Sequence, residues 1–171
     1  MFGSSQTERD SPSWIEAEHV GQRLARSSLA VITGGYGGTM EAVSKGASEE
    51  GGHVIGITAP PLFPGRHGAN PFVDELIEAE SLADRIGKMI DRAVGALALP
   101  GSIGTATELL FAWNINHIVR RNGGLPVPTC AVGPGWDVVA TTLAKEIDAV
   151  PADIHLAPDI ANGMDWLLAQ L

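Results

Sequence analysis

A glycine-containing bend followed, one helical turn on, by a carboxylate is the part of this chain best equipped for chemistry. It reads Leu97-Ala98-Leu99-Pro100-Gly101-Ser102-Ile103-Gly104-Thr105-Ala106-Thr107-Glu108. The apolar run from Val94 to Leu99 reads as a buried strand; Pro100 and Gly101 turn the chain, and a long apolar helix follows. The bend lacks bulky side chains, so a ligand can come close to its backbone. The first N–H groups of a helix and the positive end of its dipole suit a phosphate, and Thr105 adds a hydroxyl. Glu108 is placed to reach a group attached to that phosphate. Pro100, Gly101, Ser102, Gly104 and Thr105 are therefore the expected anion cradle, with Glu108 as the acting group. The plainer reading of Glu108 is that it complements the helix dipole.

A second glycine-rich bend follows another short apolar run: Leu29 to Thr33, then Gly34-Gly35-Tyr36-Gly37-Gly38 and a helix opening at Thr39. Gly34, Gly35, Gly37, Gly38 and Thr39 form a second candidate ligand loop. Neither bend matches the dinucleotide pattern G-x-G-x-x-G, and neither carries a Walker lysine, which sets aside the standard dinucleotide and P-loop sites. Arg85, near the start of a helix, is the candidate cation, although an arginine there is also at home on the surface.

The elements that would position these groups alternate between helix and strand. Helices are expected over Ser13 to Ser27, with a capping box at Ser13 and an apolar face of Ile15, Val20 and Leu24; over Thr39 to Glu50; over Ser81 to Arg92; after Gly101; over Trp136 to Ile147; and over Asp159 to Leu171. Strands are expected over Leu29 to Thr33, His53 to Ile57, Phe72 to Ala79, Val94 to Leu99, Val127 to Val132 and Ile154 to Leu156. Phe2-Gly3-Ser4-Ser5 looks like the end of a further, very short strand. The pattern predicts an α/β fold of the doubly wound, Rossmann-like kind, a parallel sheet with helices on both faces in a single domain. In such a sheet all strands end on one edge. That edge would gather Gly34 to Thr39, Arg85, Gly101 to Glu108, the Arg66-His67 part of the proline-rich stretch Thr58 to Pro71, and Ser4 and Ser5.

Composition narrows the function classes. A net charge of −9 argues against nonspecific binding to nucleic acid or an anionic membrane. No apolar run approaches the ~20 residues of a spanning helix, and no secretory leader is visible at Met1. Cys130 is the only cysteine, which excludes an internal disulfide and suits a reducing, cytoplasmic setting. The five histidines are scattered without metal-ligand spacing, so no metal is expected. Trp14, Trp136 and Trp166 read as packing residues, with Trp113 the one that could approach a ligand. The helix after the bend carries Leu109, Leu110, Phe111, Trp113, Ile115, Ile118 and Val119 on more than one face, which points to a homodimer or to burial within one subunit.

At the two bends the sequence resembles the LOG (LONELY GUY) family of cytokinin-activating phosphoribohydrolases, whose motif is P-G-G-x-G-T-x-x-E. In this chain it stands as Pro100 to Glu108, with Ser102 in place of one glycine. The earlier family loop, G-G-G-x-x-G-x-M-G, is matched more loosely by Gly34 to Ala42. The family's arginine, at the same separation from the motif proline, falls on Arg85; the lysine that often follows it is Ile86 in this chain. The resemblance implies a phosphorylated nucleoside as ligand and cleavage of its N-glycosidic bond to free base and ribose 5-phosphate, without a cofactor. It implies Arg85 and Glu108 as catalytic residues, and commonly a dimer. The alternative is a non-catalytic nucleotide or molybdenum-cofactor carrier of the same fold. Relatives often bear a lysine-decarboxylase label, but that chemistry calls for a Schiff-base lysine, and Lys45, Lys88 and Lys145 all lie in expected helices with no cofactor motif around them.

Overall fold

Helix α1, Pro12–Arg26, is capped two residues before the expected position. Ser11, not Ser13, is the N-cap; its hydroxyl accepts from the Trp14 amide, and proline occupies the first helical position, where a missing N–H costs nothing. The buried face is Trp14, Ala17, Val20, Gly21 and Leu24. Ile15, expected on that face, is exposed, because the face turns on Trp14 and Ala17 instead. The computed structural model to which these elements belong describes residues 1–66, 68–147 and 149–171. They form two units, Met1–Ala93 and Val94–Leu171.

In the first unit, α1 is followed by β1 (Val31–Thr33), α2 (Thr39–Glu49), β2 (Val54–Thr58), β3 (Glu75–Glu78) and α3 (Leu82–Asp91). The strands pair in parallel in the order β1-β2-β3, with Val31 opposite Val54 and Ile55 opposite Glu75. Helices α1 and α2 pack with almost no side chain between them at two crossing points. A Cβ at Gly21 would sit 2.0 Å from the Val43 carbonyl oxygen, and one at Gly46 would sit 1.9 Å from that of Glu18. Lys45 of α2 closes the same seam by an ion pair to Glu18 at 2.7 Å, and the Trp14 indole donates to the same carboxylate. Lys45 holds the Glu18 carboxyl below its ordinary pKa. Ser81 caps α3 by accepting from the Asp84 amide. Ile86, the residue that differs from the resembled lysine, is buried. Phe2 makes one bridge, and the Met1 nitrogen donates to the Ile32 carbonyl, so the expected first strand amounts to a single bridge beside β1.

The second unit runs β4 (Ala96–Ala98), α4 (Ile103–Arg121), β5 (Thr129–Val132), α5 (Pro134–Glu146), a 3-10 turn at Pro151–Asp153, β6 (His155–Ala157) and α6 (Ile160–Leu168). Its strands also pair in parallel, in the order β4-β5-β6. The α/β alternation and parallel pairing expected from the sequence are therefore present, as a three-stranded sheet in each unit. Trp113 packs with Ala140 and Ile154 in the core of this unit, and its indole donates to the Val150 carbonyl at 2.9 Å. It is a packing residue, which corrects the expectation that it could approach a ligand. Asn116 ties α4 to the approach to β5: its Nδ2 donates to the Val127 carbonyl and to Thr129 Oγ1, and its Oδ1 accepts from the Val127 amide. Asp153, with a fully buried side chain, lies 3.0 Å from His117 Nδ1 and 2.6 Å from Arg120 Nε.

Candidate functional site

Within the first unit, the glycine bend is built around Arg85. The guanidinium is buried. Its Nε donates to the Ile57 carbonyl at 2.7 Å and its Nη2 to the Gly34 carbonyl at 3.1 Å. It thus ties the residue that follows β1 to β2 through two backbone carbonyls. Gly34 is glycine for this reason: a Cβ there would lie 1.7 Å from Arg85 Nη2. Met40 Sδ lies against the same nitrogen, and the Tyr36 ring centre is 5.8 Å from the guanidinium carbon.

The amino end of α2 is engaged by the chain itself. Gly38, its N-cap, has φ +68°, a conformation that favours glycine. A Cβ at that position would fall 2.5 Å from the Ser4 carbonyl oxygen. The Thr39 amide donates to that carbonyl at 2.8 Å, and the Thr39 hydroxyl pairs with that of Thr7. Gly38 and Thr39 therefore dock the segment that includes Ser4 to Thr7, and the Thr39 amide and hydroxyl are already engaged.

Asn70 anchors the proline-rich loop to the same bend. Its amide nitrogen donates to the Gly35 carbonyl at 2.7 Å, and its side chain to the carbonyls of Gly35 and Tyr36. The Tyr36 hydroxyl accepts from the Ala59 amide. Together these groups frame a cavity of about 380 Å³ whose walls include Ser5, Tyr36, Gly37, Glu41, Arg66 and Asn70. Ser5 and Arg66 thus meet the glycine bend as expected; His67 lies outside the described residues. Sequence reasoning missed Tyr36, Glu41 and Asn70. The signals available were a lone tyrosine inside a glycine run and an Asn-Pro step at the end of the loop.

Within the second unit, Ser102 is the N-cap of α4 and makes no side-chain cap bond. Thr105 is buried, and among the described residues its Oγ1 has no hydrogen-bond partner. That hydroxyl lies under the bend: a Cβ at Gly101 would be 2.1 Å from it. Gly104 is exposed, and the nearest atom to a Cβ there would be Ser102 Oγ, at 3.9 Å. Pro100 faces Gly133, the residue that caps α5. Thr105 and Glu108 are three residues apart and so share a helix face, and both belong to the buried stripe of α4 with Leu109, Ala112, Trp113 and Asn116. The Thr107 hydroxyl donates back to the Ile103 carbonyl within the helix. Leu110, Phe111 and Ile118 are exposed, so the second apolar face expected on this helix is uncovered within one chain.

Other reactive groups are poorly placed for chemistry. Burial pushes the Cys130 thiol up to about 12, far from a thiolate near neutral pH. His155 stacks on Trp166 at 4.3 Å, which makes Trp166 a stacking partner as well as a packing residue. Among the described residues, no group of three or more His, Cys, Asp or Glu side chains is disposed to hold a metal ion, and no helix is long and apolar enough to cross a membrane.

Known proteins resemble this chain in sequence or in fold. One similar protein is a cytokinin riboside 5′-monophosphate phosphoribohydrolase of Mycobacterium marinum, 36% identical over 103 residues, or 60% of this chain and 54% of that protein. Another is a pyrimidine/purine nucleotide 5′-monophosphate nucleosidase of Escherichia coli, 34% identical over 111 residues, 60% of this chain and 24% of that protein. The chain thus spans about half the length of the first and about a quarter of the second. Among solved structures, a molybdenum cofactor carrier protein from Chlamydomonas reinhardtii superposes with a TM-score of 0.71 at 21% identity, over 98% of this chain and 92% of that one. A molybdenum cofactor binding protein from Rippkaea orientalis does so with 0.70 at 21%, over 95% and 90%. At such identity the likeness is one of fold. The sequence model of the SLOG cluster4 family matches residues 1–123, which takes in both glycine bends, Arg85 and Glu108, and the chain belongs to that family.

Proposed function

We propose that the chain binds a nucleoside 5′-monophosphate and hydrolyses its N-glycosidic bond, releasing the free base and ribose 5-phosphate. The observation that carries this reading is the buried Thr105 hydroxyl without a hydrogen-bond partner among the described residues, under the Gly101 bend at the amino end of α4, with buried Glu108 on the same face of that helix. A buried hydroxyl without a partner carries an unrecovered desolvation cost. A phosphate at this helix end would take up that hydroxyl along with the N–H groups of the first turn. The names of the M. marinum and E. coli relatives, both acting on nucleoside monophosphates, support the same assignment.

In the proposed reaction the C1′–N bond breaks and its electron pair leaves with the base, which takes up a proton. Water forms the new bond to C1′ and gives up one proton. The ribose passes through an oxocarbenium-like state, and the Glu108 carboxylate stabilises that charge and orients the ribose hydroxyls or the water. Pro100, Gly101, Ser102, Gly104 and Thr105 hold the phosphate. Within the first unit, Arg85 braces the Gly34 to Thr39 bend through the Gly34 and Ile57 carbonyls. We further propose that the 171 residues work as a single domain in the cytoplasm, and that two copies pair through the exposed Leu110, Phe111 and Ile118 of α4.

The test is a panel of nucleoside 5′-monophosphates, N6-modified adenine forms included, with chromatographic detection of released base. The unmodified protein should release base from at least one of them. Glu108→Gln should retain binding and lose at least about 100-fold in kcat, the scale of removing one electrostatic stabiliser. A second reading, a nucleotide or molybdenum-cofactor carrier, takes support from the carrier and binding proteins among the fold neighbours. Tight binding with no base released by the unmodified protein would favour it.

A further inference from the structure

We propose that the cavity of the first unit is a recognition pocket for a planar heterocycle bearing an N–H donor, with Glu41 as the residue that selects for that donor. The inference takes from the proposed function only that the ligand carries a nucleobase; its readout is binding, with no turnover needed.

One wall is a prepared stacking plate. The Arg66 guanidinium carbon lies 4.9 Å from the Tyr36 ring centre and 4.6 Å from that of Phe63. The two rings meet edge to face at 5.5 Å, and Arg66 Nη2 donates to Ser5 Oγ at 3.3 Å. A long flexible side chain is thereby held as a flat, cationic surface at the cavity wall. Guanidinium planes and aromatic rings are the groups on which bases stack without regard to sequence. The floor is equally well fixed, since the Tyr36 hydroxyl and the Asn70 side chain are both committed to backbone groups.

The other wall supplies selectivity. Glu41, in the first turn of α2, pairs through Oε1 with Arg9. Its Oε2 reaches toward Gly37, where it would lie 3.6 Å from a Cβ. Glu41 and Gly37 both line the cavity, which puts the carboxylate at its wall. An ionised carboxylate accepts hydrogen bonds and donates none. It rewards a ligand edge that carries N–H and penalises one that presents only lone pairs or a negative charge. The pocket therefore suits an amino-substituted base rather than a phosphate. A cavity of about 380 Å³ falls within the usual range of small-molecule sites.

The experiment is titration of the purified full chain with 9-methyladenine and 9-methylpurine, followed by ligand-observed NMR. The pair differs only in the exocyclic amino group, and the methyl group stands where the sugar would be. The unmodified protein should prefer 9-methyladenine by about tenfold, the scale of one hydrogen bond to a charged acceptor. Glu41→Ala should abolish the preference, and Glu41→Gln should reduce it while keeping side-chain size. Arg66→Ala should weaken both ligands by a similar factor. Equal affinity for the two ligands, a preference that survives Glu41→Ala, or no binding of either would each overturn the proposal. Selective binding without hydrolysis of any monophosphate would leave the pocket standing and remove the hydrolase reading. Hydrolysis without selective binding would do the reverse.

Discussion

Replacing Gly34 by alanine is the sharpest test of how the first bend is held. The new methyl would stand 1.7 Å from Arg85 Nη2 and 2.6 Å from Met40 Sδ. The thioether has torsions by which to yield. The guanidinium can move only by giving up the bonds to the carbonyls of Gly34 and Ile57, at 3.1 and 2.7 Å. Hydrogen bonds from a charged donor contribute roughly 1.5–3 kcal/mol each, so losing both, with partial recovery elsewhere, should cost about 3 kcal/mol. Arg85→Met removes the same two bonds while keeping most of the stem, and should cost a similar amount. In the double variant the methyl at position 34 meets no guanidinium, so the second substitution should add little. A double-mutant cycle read by urea unfolding should therefore give a coupling of about 2–3 kcal/mol. Costs that add to within about 0.5 kcal/mol would refute the idea that Arg85 braces the bend through Gly34.

Thr105→Val swaps a buried hydroxyl without a partner among the described residues for an isosteric methyl; stability to urea should hold or rise by about 1 kcal/mol, while affinity for a nucleoside monophosphate should fall roughly tenfold or more in direct titration. Because Lys45 lowers the Glu18 pKa and Glu18 raises that of Lys45, the pair's contribution is complete between their ordinary pKa values. It fades as pH falls through the folded Glu18 value and as pH rises through the folded Lys45 value. Lys45→Met should thus cost up to about 1 kcal/mol near neutrality, and the gap to the unmodified protein should close on acidification below about pH 4; a gap that does not change with pH would contradict this. Cys130, with its thiol pushed up to about 12, should react with a disulfide reagent at pH 8 only as fast as the chain unfolds, and rapid labelling of the native protein would count against its burial.

Much of the fold was legible because it rests on local rules. The Ser81 cap, the helix opening at Thr39 and the alternation of apolar runs with glycine bends need only neighbouring residues, and the elements appear within a few residues of their expected bounds. The first cap slipped from Ser13 to Ser11 because both serines precede apolar positions, and only the seating of Trp14 and Ala17 in the core separates the two registers. The same limit applied to Trp113, whose place beside Ala140 and Ile154 depends on residues far along the chain.

The candidate site divides in the same way. By itself the sequence determined which residues stand at the two bends and which belong to the Pro100-to-Glu108 motif, since a tight turn, a helix start and an acid one turn later are matters of spacing. Tertiary structure decided what those residues touch. It committed the Thr39 amide to Ser4 and its hydroxyl to Thr7 and set Arg85 beneath Gly34. It also left the Thr105 hydroxyl without a partner among the described residues and brought Arg66 and Glu41 to one cavity. Hydrogen bonds between groups thirty or more residues apart are fixed by how strands and helices pack, and no local pattern encodes them.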